Sequence, residues 1–558
     1  MNVLSHAHGT SDIPLRNETI GQALDRAAAS WPAQDAVVVR DQGVRLTFAS
    51  LREQAHRLAA GFLAAGLNPG DRIGIWSPNR IEWVLTHYAA SCAGLILVCV
   101  NPAYRLAELD YALNKVECRA LVTANRFKTT DYIGLLRTLA PELAHCAPGA
   151  LRAANLPHLT TVIHVGDDDE PGFFRFASVM EMGGAAERAR LTELAQTIQA
   201  DDPVNIQFTS GTTGSPKAAT LTHQSLLNNA FFVGEICGIH AGDRYLTPLP
   251  LYHIGAMSCV ALLALVRGAT VIYPGEAFDP VAVLEALQAE KCTAFGGVPT
   301  MFVALLNHPR FREYDLSTLR TGLVGGAPAP EAVMRRMIDE MNMRDVCNVY
   351  GMTETAPISL QTRPDDAMAR RVGTVGRPHP HVEVKIVDPY GRVVPRGTQG
   401  EIRTRGYSVM LGYWNGEDAT REAIDPARWM HTGDLGVMDE HDYVTITGRS
   451  KDMVIRGGEN IYPAEVEAFI ARHPAVADVQ GFGVPDAFYG EELCVWIKLK
   501  PGMTAAEDDI RGFCRGQITH FKIPRYVRFV DEYPMTVTGK VQKFVMREMM
   551  TKELAGNG

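Results

Sequence analysis

The run Phe208-Thr209-Ser210-Gly211-Thr212-Thr213-Gly214-Ser215-Pro216-Lys217 gathers five hydroxyl side chains around two glycines and ends in a proline and a lysine. Glycine lets a backbone approach a bulky anion and reach positive φ. Successive loop N–H groups can then form a concave nest for phosphate oxygens, with Lys217 adding a cationic charge. The pattern is not that of the nucleotide-hydrolysing P-loop, which requires G-x-x-x-x-G-K-[S/T]. Here Lys217 stands three positions after Gly214 and is followed by Ala218.

Further clusters stand where apolar runs end. Gly325-Gly326-Ala327-Pro328 offers bare backbone against which a flat ring can lie. Tyr350-Gly351-Met352-Thr353-Glu354-Thr355 holds an aromatic face, a hydroxyl and a carboxylate. A carboxylate beside a phosphate cradle suits Mg2+, which in nucleotide sites takes one or two carboxylates plus phosphates and water. His431-Thr432-Gly433-Asp434 places a carboxylate in a tight turn, where it can accept hydrogen bonds from a ribose diol. Each cluster taken alone also has a plain structural reading: Tyr350 as core, Glu354 as a loop carboxylate, Asp434 as a β-turn aspartate.

The elements that must position these residues alternate in type. Residues 204–208 read as a strand entering the phosphate loop. Leu51, Leu58, Phe62 and Leu63 recur at helical spacing and Gly66 supplies a stop. A strand at 72–76, a helix at 79–93 and a buried strand at 95–100 follow. The alternation resumes with strands at 270–273, 294–297 and 346–350, and helices at 280–290, 299–306 and 331–341. It predicts βαβ units and a mainly parallel sheet. In such open sheets ligands bind outside the carboxyl ends of strands, where the clusters above lie. Residues 147–200 are less regular, with an exposed acidic loop at 167–172. From about 375, period-two runs at 382–387 and 443–447 predict a β-rich subdomain. Beyond 448, helices at 466–472 and 508–518 and strands at 479–484 and 494–499 predict a small α+β domain.

The expected class is therefore α/β. A large N-terminal domain (1–448, β-rich at about 375–448) holds mainly parallel sheets with flanking helices, and a hinge at 449–451 leads to a small mobile α+β domain at 452–558. The formal net charge of −9 argues against a nucleic-acid partner. Ten scattered cysteines include no C-x-x-C pair, so a reducing, cytoplasmic location is expected. The apolar runs at 89–100 and 257–266 are too short to span a bilayer, and residues 1–17 lack the apolar stretch of a secretory signal. A homodimer is compatible with these features.

The phosphate loop, the 350–354 cluster, Thr432-Gly433-Asp434, Gly448-Arg449-Ser450-Lys451-Asp452 and Pro534-Met535-Thr536-Val537-Thr538-Gly539-Lys540 occur in an order and spacing that resembles the adenylate-forming, AMP-binding superfamily. The resemblance covers about residues 20–550. The runs at 127–132, 406–414 and 456–463 look most similar to its medium-chain fatty acyl-CoA synthetase branch.

That resemblance implies a two-step reaction with ATP, Mg2+ and coenzyme A. A carboxylate attacks the α-phosphate to give acyl-AMP and pyrophosphate, and the coenzyme A thiol then displaces AMP. By position, Thr209, Ser210, Gly211, Thr212, Thr213, Gly214, Ser215, Pro216 and Lys217 match the pyrophosphate-side loop. Tyr350, Gly351 and Met352, with Gly326 and Ala327, match the adenine site, and Asp434 and Arg449 the ribose site. Thr353 and Glu354 match catalytic positions, with Glu354 as the metal ligand. Lys540 matches the lysine that reaches the carboxylate and α-phosphate, and Lys451 the hinge. Gly457, Gly458 and Glu459 match the pantetheine tunnel. His253 borders the acyl carboxylate, and Ile254, Met257, Val298 and Gly325 line the acyl pocket.

The resemblance also bears on the acid: amino-acid-activating members carry an aspartate near this segment to pair with the substrate ammonium, whereas Tyr252-His253-Ile254-Gly255-Ala256-Met257 has none, so an apolar acid is expected rather than an amino acid. The alternatives are an aryl or short-chain acid:CoA ligase, a carrier-protein acylating enzyme, and a catalytically inactive nucleotide-binding scaffold.

Overall fold

In the computed structural model of the protein the described residues are 3–209, 216–327, 329–449, 452–456, 459–486, 488–536 and 540–556. The chain packs into two compact units. The smaller comprises Met1–Ala7, Val384–Arg403 and His431–Gly558, and the larger His8–Glu383 and Thr404–Met430.

The larger unit holds a short two-stranded sheet, Arg126–Phe127 with Thr130–Asp131, and two large ones. One is eight-stranded, and from Phe174–Arg175 through Thr161–His164, Ala120–Thr123, Arg72–Trp76 and Ile96–Cys99 to Pro203–Thr209 its neighbours are parallel. The other is nine-stranded, with a parallel centre that runs from Asp345–Gly351 to Asp35–Val39 and antiparallel strands at both margins.

Alternate residues of these strands face opposite cores, which explains their unbroken apolar character. Val37 and Val39 enter the central core while Val38 enters an outer one. Leu97 and Cys99 likewise face the central core, and Ile96 and Val98 the other side. The central core also takes in the helices Ile20–Ser30, Phe48–Ala64, Ile81–Cys92 and His223–Ile236. The helix Phe48–Ala64 is capped by Thr47, whose side chain accepts from the Ser50 N–H, and Gly66 behind it takes φ +87°. The strands expected at 270–273 and 294–297 and the helix at 299–306 are found with those bounds.

The stretch 147–200 departs from its irregular reading. It contains the helices Phe176–Met182 and Ala185–Thr197. The second buries only Leu191 and Leu194, so its apolar stripe is too sparse for periodicity to register.

In the smaller unit one sheet orders Val382–Val387, Gly400–Gly406, Met430–Met438 and Val444–Arg449 side by side. A second is built on the long antiparallel pair Val476–Asp486 and Gly490–Leu499. One of its faces packs Val479, Leu493, Val495 and Ile497 with Val466 and Ile470 of the helix Pro463–Ile470 and Ile510 of the helix Glu507–Cys514. The other packs Phe482, Val484, Cys494 and Trp496 against Met546 and Met550 of the helix Lys543–Gly556. The helix expected at 508–518 stops at Cys514, and Gly516 beyond it takes φ +71°.

Candidate active site

The phosphate loop hangs from a fixed base. Thr209 ends the strand Pro203–Thr209 and is the register partner of Lys217, which begins the antiparallel strand Lys217–Thr222. The Tyr111 hydroxyl donates to the Pro216 carbonyl at 3.1 Å. Ser210, Gly211, Thr212, Thr213, Gly214 and Ser215 lie outside the described residues.

The strand from Lys217 runs into the helix His223–Ile236, capped by Thr222, whose hydroxyl accepts from the Ser225 N–H at 3.0 Å. This helix carries two adjacent buried asparagines. Asn228 pairs with both backbone groups of Arg16 (2.7 and 2.9 Å) and Asn229 with both of Ile358 (3.1 and 2.8 Å). Buried amides satisfied in this way hold two distant segments in register. The Ile358 clamp fixes the chain just after Thr353–Thr355, a single turn of 3-10 helix followed by Ala356 at φ +65°. Ser258 donates to the Ala356 carbonyl at 3.1 Å, fastening the same turn to the central helical layer.

Glu354 is buried in that turn. Its Oε1 accepts a hydrogen bond from the Tyr413 hydroxyl at 2.8 Å, and its carbonyl accepts from the Met410 N–H at 2.9 Å. The Lys217 ammonium lies 5.1 Å from the centre of the Tyr413 ring, on its face. Burial, then the charge of Glu354 and the hydrogen bond to it, push the Tyr413 phenol pKa well up, so Tyr413 stays a donor at neutral pH. Among the described residues neither Lys217 nor Glu354 takes part in an ion pair. A buried carboxylate held by a phenol but not neutralised by a nearby cation fits a hard divalent ion such as Mg2+, which prefers oxygen ligands.

Tyr350 and the Gly325–Ala327 backbone share one sheet edge. Their strands, Asp345–Gly351 and Thr321–Val324, are parallel neighbours with Val324 opposite Asn348. A Cβ on Gly325 would come within 2.5 Å of the Val349 side chain, so only glycine permits this approach. Gly326 takes φ +82°. Tyr350 is half-buried, and the Met352 N–H donates to the Pro357 carbonyl at 3.0 Å.

His253 is half-buried and caps the short helix that follows it, its Nδ1 accepting from the Gly255 N–H at 3.2 Å. That assigns the ring hydrogen of the neutral form to Nε2. Ile254 and Met257 are fully buried, with Gln207 Nε2 3.7 Å from the Met257 sulfur, and Val298 is half-buried at the start of the helix Pro299–Leu306.

In the smaller unit Asp434 and Arg449 face each other across an antiparallel pair. The Arg449 Nε donates to Asp434 Oδ1 at 2.8 Å, and the Asp434 N–H donates to the Thr432 hydroxyl at 3.1 Å. Gly433 between them takes φ +69°, as the tight turn requires. Lys540 is exposed and closes a turn with Thr536 through two bonds. The Lys540 N–H donates to the Thr536 hydroxyl at 3.0 Å, and the Thr536 N–H donates to the Lys540 carbonyl at 2.7 Å. Glu459 is the register partner of Arg456. Gly457, Gly458, Lys451 and Gly539 lie outside the described residues.

Sequence reasoning assigned no role to Tyr413 or Asn229. The signal for Asn229 was an Asn-Asn pair inside the apolar run Leu226 to Val233, where an amide needs a buried partner.

The AMP-binding enzyme family matches residues 24–414, and the C-terminal domain of AMP-binding enzymes matches residues 465–540. A mitochondrial medium-chain acyl-CoA ligase, ACSF2, of Danio rerio is 44% identical over 554 residues, covering 99% of this chain and 91% of the relative. A putative acyl-CoA synthetase, YngI, of Bacillus subtilis is 45% identical over 540 residues, covering 96% and 97%. Among solved structures, an anthranilate CoA ligase, AuaEII, in complex with anthranoyl-AMP superposes with a TM-score of 0.85 at 26% identity, covering 98% of this chain and 99% of the other.

Proposed function

The chain belongs to the AMP-binding enzyme family, and from that premise we propose that it activates a medium-chain fatty acid, with the residues described above in the roles given below. As a member it is an AMP-forming acid–thiol ligase that uses ATP, Mg2+ and coenzyme A. In the first half-reaction the acid's carboxylate oxygen bonds to the α-phosphorus of ATP and pyrophosphate leaves. In the second the coenzyme A thiol, losing its proton, bonds to the acyl carbon and AMP leaves.

The difficulty of the first half-reaction is the meeting of two anions, so positioning and charge stabilisation are what the protein must supply. In this reading Lys217 and the backbone of 209–216 hold the pyrophosphate end. Glu354 would hold Mg2+, which supplies neutralising charge at the phosphates when bound. Thr353 lies beside it in the same turn. Tyr350, Gly351 and Met352, with Gly326 and Ala327, receive adenine. Asp434 accepts from the ribose hydroxyls, with Arg449 fixing its carboxylate. Lys540 delivers charge at the reacting carboxylate and α-phosphate, and Gly457, Gly458 and Glu459 serve the thiol half. Lys451 is the hinge by which a C-terminal domain of residues 452–558 alternates between the halves. His253 orients the acid, which needs no base because a carboxylic acid is already ionised near neutral pH.

The observation that carries the substrate class is the 44% identity to a medium-chain acyl-CoA ligase across 99% of the chain. The absence of a carboxylate from residues 252–257 supports it. The same reading places the enzyme in the cytoplasm, consistent with ten free cysteines, and takes it to assemble as a homodimer. Among the described residues no helix is long and apolar enough to cross a membrane.

The test is ATP-dependent pyrophosphate release with a panel of acids, each with and without coenzyme A. Octanoate is expected to stimulate release, and coenzyme A to turn it into continuous turnover. Stimulation by benzoate or an amino acid with none by octanoate overturns the substrate class.

A further inference from the structure

We propose that Tyr413 is a positioning residue that holds Glu354 and Lys217 apart, one by a hydrogen bond and the other on its ring face, so that both charges stay open to ligands. The inference rests on the reading that Glu354 carries Mg2+ and Lys217 faces phosphate.

The segment around Tyr413 is sewn to both partners. Gly412–Tyr413 pairs antiparallel with the strand that begins at Lys217, Tyr413 lying opposite Ala219 and Gly412 opposite Thr220. The Leu411 N–H donates to the Thr220 carbonyl at 3.0 Å and the Trp414 N–H to the Ala218 carbonyl at 2.8 Å. One residue earlier, the Met410 N–H donates to the carbonyl of Glu354 itself. The Tyr413 N–H donates to the Thr420 hydroxyl at 2.8 Å. The backbone that carries the ring is therefore held on both sides.

From this fixed place the hydroxyl donates to Glu354 Oε1 at 2.8 Å while the Lys217 ammonium lies 5.1 Å from the ring centre. A lysine and a buried glutamate brought near one another would neutralise each other as an ion pair, and among the described residues this pair does not form. The aromatic face satisfies the cation and the phenol satisfies one carboxylate oxygen, so each group is partly stabilised without being consumed. Phenylalanine at this position keeps the face and removes the donor; leucine removes both.

The test follows Mg2+ dependence of ATP binding by calorimetry on the full-length enzyme, without acid or coenzyme A. Y413F is expected to raise the Mg2+ concentration for half-maximal ATP binding about tenfold, the scale of one hydrogen bond to a charged group. E354Q is expected to raise it further, and the double variant Y413F/E354Q to match E354Q alone. A crystal structure of Y413L is expected to show Lys217 and Glu354 in direct contact.

An unchanged Mg2+ requirement in Y413F, with E354Q altered, overturns the role of Tyr413 and leaves the metal reading standing. So does additivity of the two substitutions, or a Y413L structure with the charges still apart. An unchanged requirement in E354Q overturns the metal reading, and this inference with it. Unchanged binding of Mg2+-free ATP by Y413F separates a positioning effect from misfolding.

Discussion

Two groups of charges in the larger unit are treated in opposite ways. Around Glu290 and Asp35, three arginines converge. Arg45 reaches Asp35 at 2.5 Å and Glu290 at 3.0 Å, Arg244 bridges the same two carboxylates, and Arg40 stands 3.9 Å from Glu290. Every carboxylate there has a guanidinium. At Glu354 the buried carboxylate has a phenol, and the nearby ammonium of Lys217 sits on a ring instead. The first arrangement ties strand ends together, with Asp35 beginning one strand and Arg244 another. The second leaves charge uncompensated, which costs stability and makes sense where a ligand brings the compensation.

The largest expected effect comes from the charge assigned to the reacting carboxylate and α-phosphate. Lys540 is exposed in its turn, so K540A is expected to leave the melting temperature unchanged. It is expected to slow acyl-AMP formation by at least about 100-fold, a typical loss for one transition-state donor. Thioester formation from supplied acyl-AMP should be largely spared. Equal loss in both half-reactions, measured by rapid quench, removes the assignment of Lys540 to the first.

A smaller effect is expected from the closed cluster. E290Q leaves Arg244 and Arg40 short of a partner at a partly exposed site. It should lower the melting temperature by about 1 °C, the shift that ~1 kcal/mol produces in a unit of roughly 400 residues, with no change in ATP affinity. A change in ATP affinity without loss of stability would blur the contrast between the two regions.

A third effect, read only as a change of stability with pH, concerns groups the core keeps neutral. Burial pushes the imidazoles of His87, His223 and His379 down to about 3. The unfolded chain takes up these protons near pH 6.5 and the folded one only near 3. Stability is therefore complete above pH 6.5 and falls as pH drops through this window, by about 1.4 kcal/mol per pH unit for each histidine. Among the described residues His87 Nε2 has no hydrogen-bond partner, so H87L should flatten the slope of urea-denaturation midpoint against pH by one proton's share between pH 6 and 4. An unchanged slope would mean that His87 does not stay neutral on folding.

Much of this fold was legible because its sheets are buried on both sides. Runs such as Ile96–Cys99 and Val271–Tyr273 are apolar throughout and stand between helices. The helix Ala185–Thr197 was not legible, since two buried leucines do not make a periodic signal. The motif residues announced the kind of chemistry through their types: hydroxyls with glycines for phosphate, a carboxylate for a metal. Tyr413 was legible only as part of the 406–414 run, because its role depends on strand pairing across nearly two hundred residues, which brings it beside Lys217 and Glu354.

The contrast between closed and open charge is tested most directly by octanoate-dependent ATP–pyrophosphate exchange in E290Q and E354Q. Both are assayed at a temperature where circular dichroism shows both folded. Each substitution removes one negative charge from the same unit. E290Q is expected to retain exchange near the wild-type rate, and E354Q to lose it by about 100-fold, as for loss of one electrostatic stabiliser. Equal losses in the two variants, or full exchange in E354Q, would contradict the account.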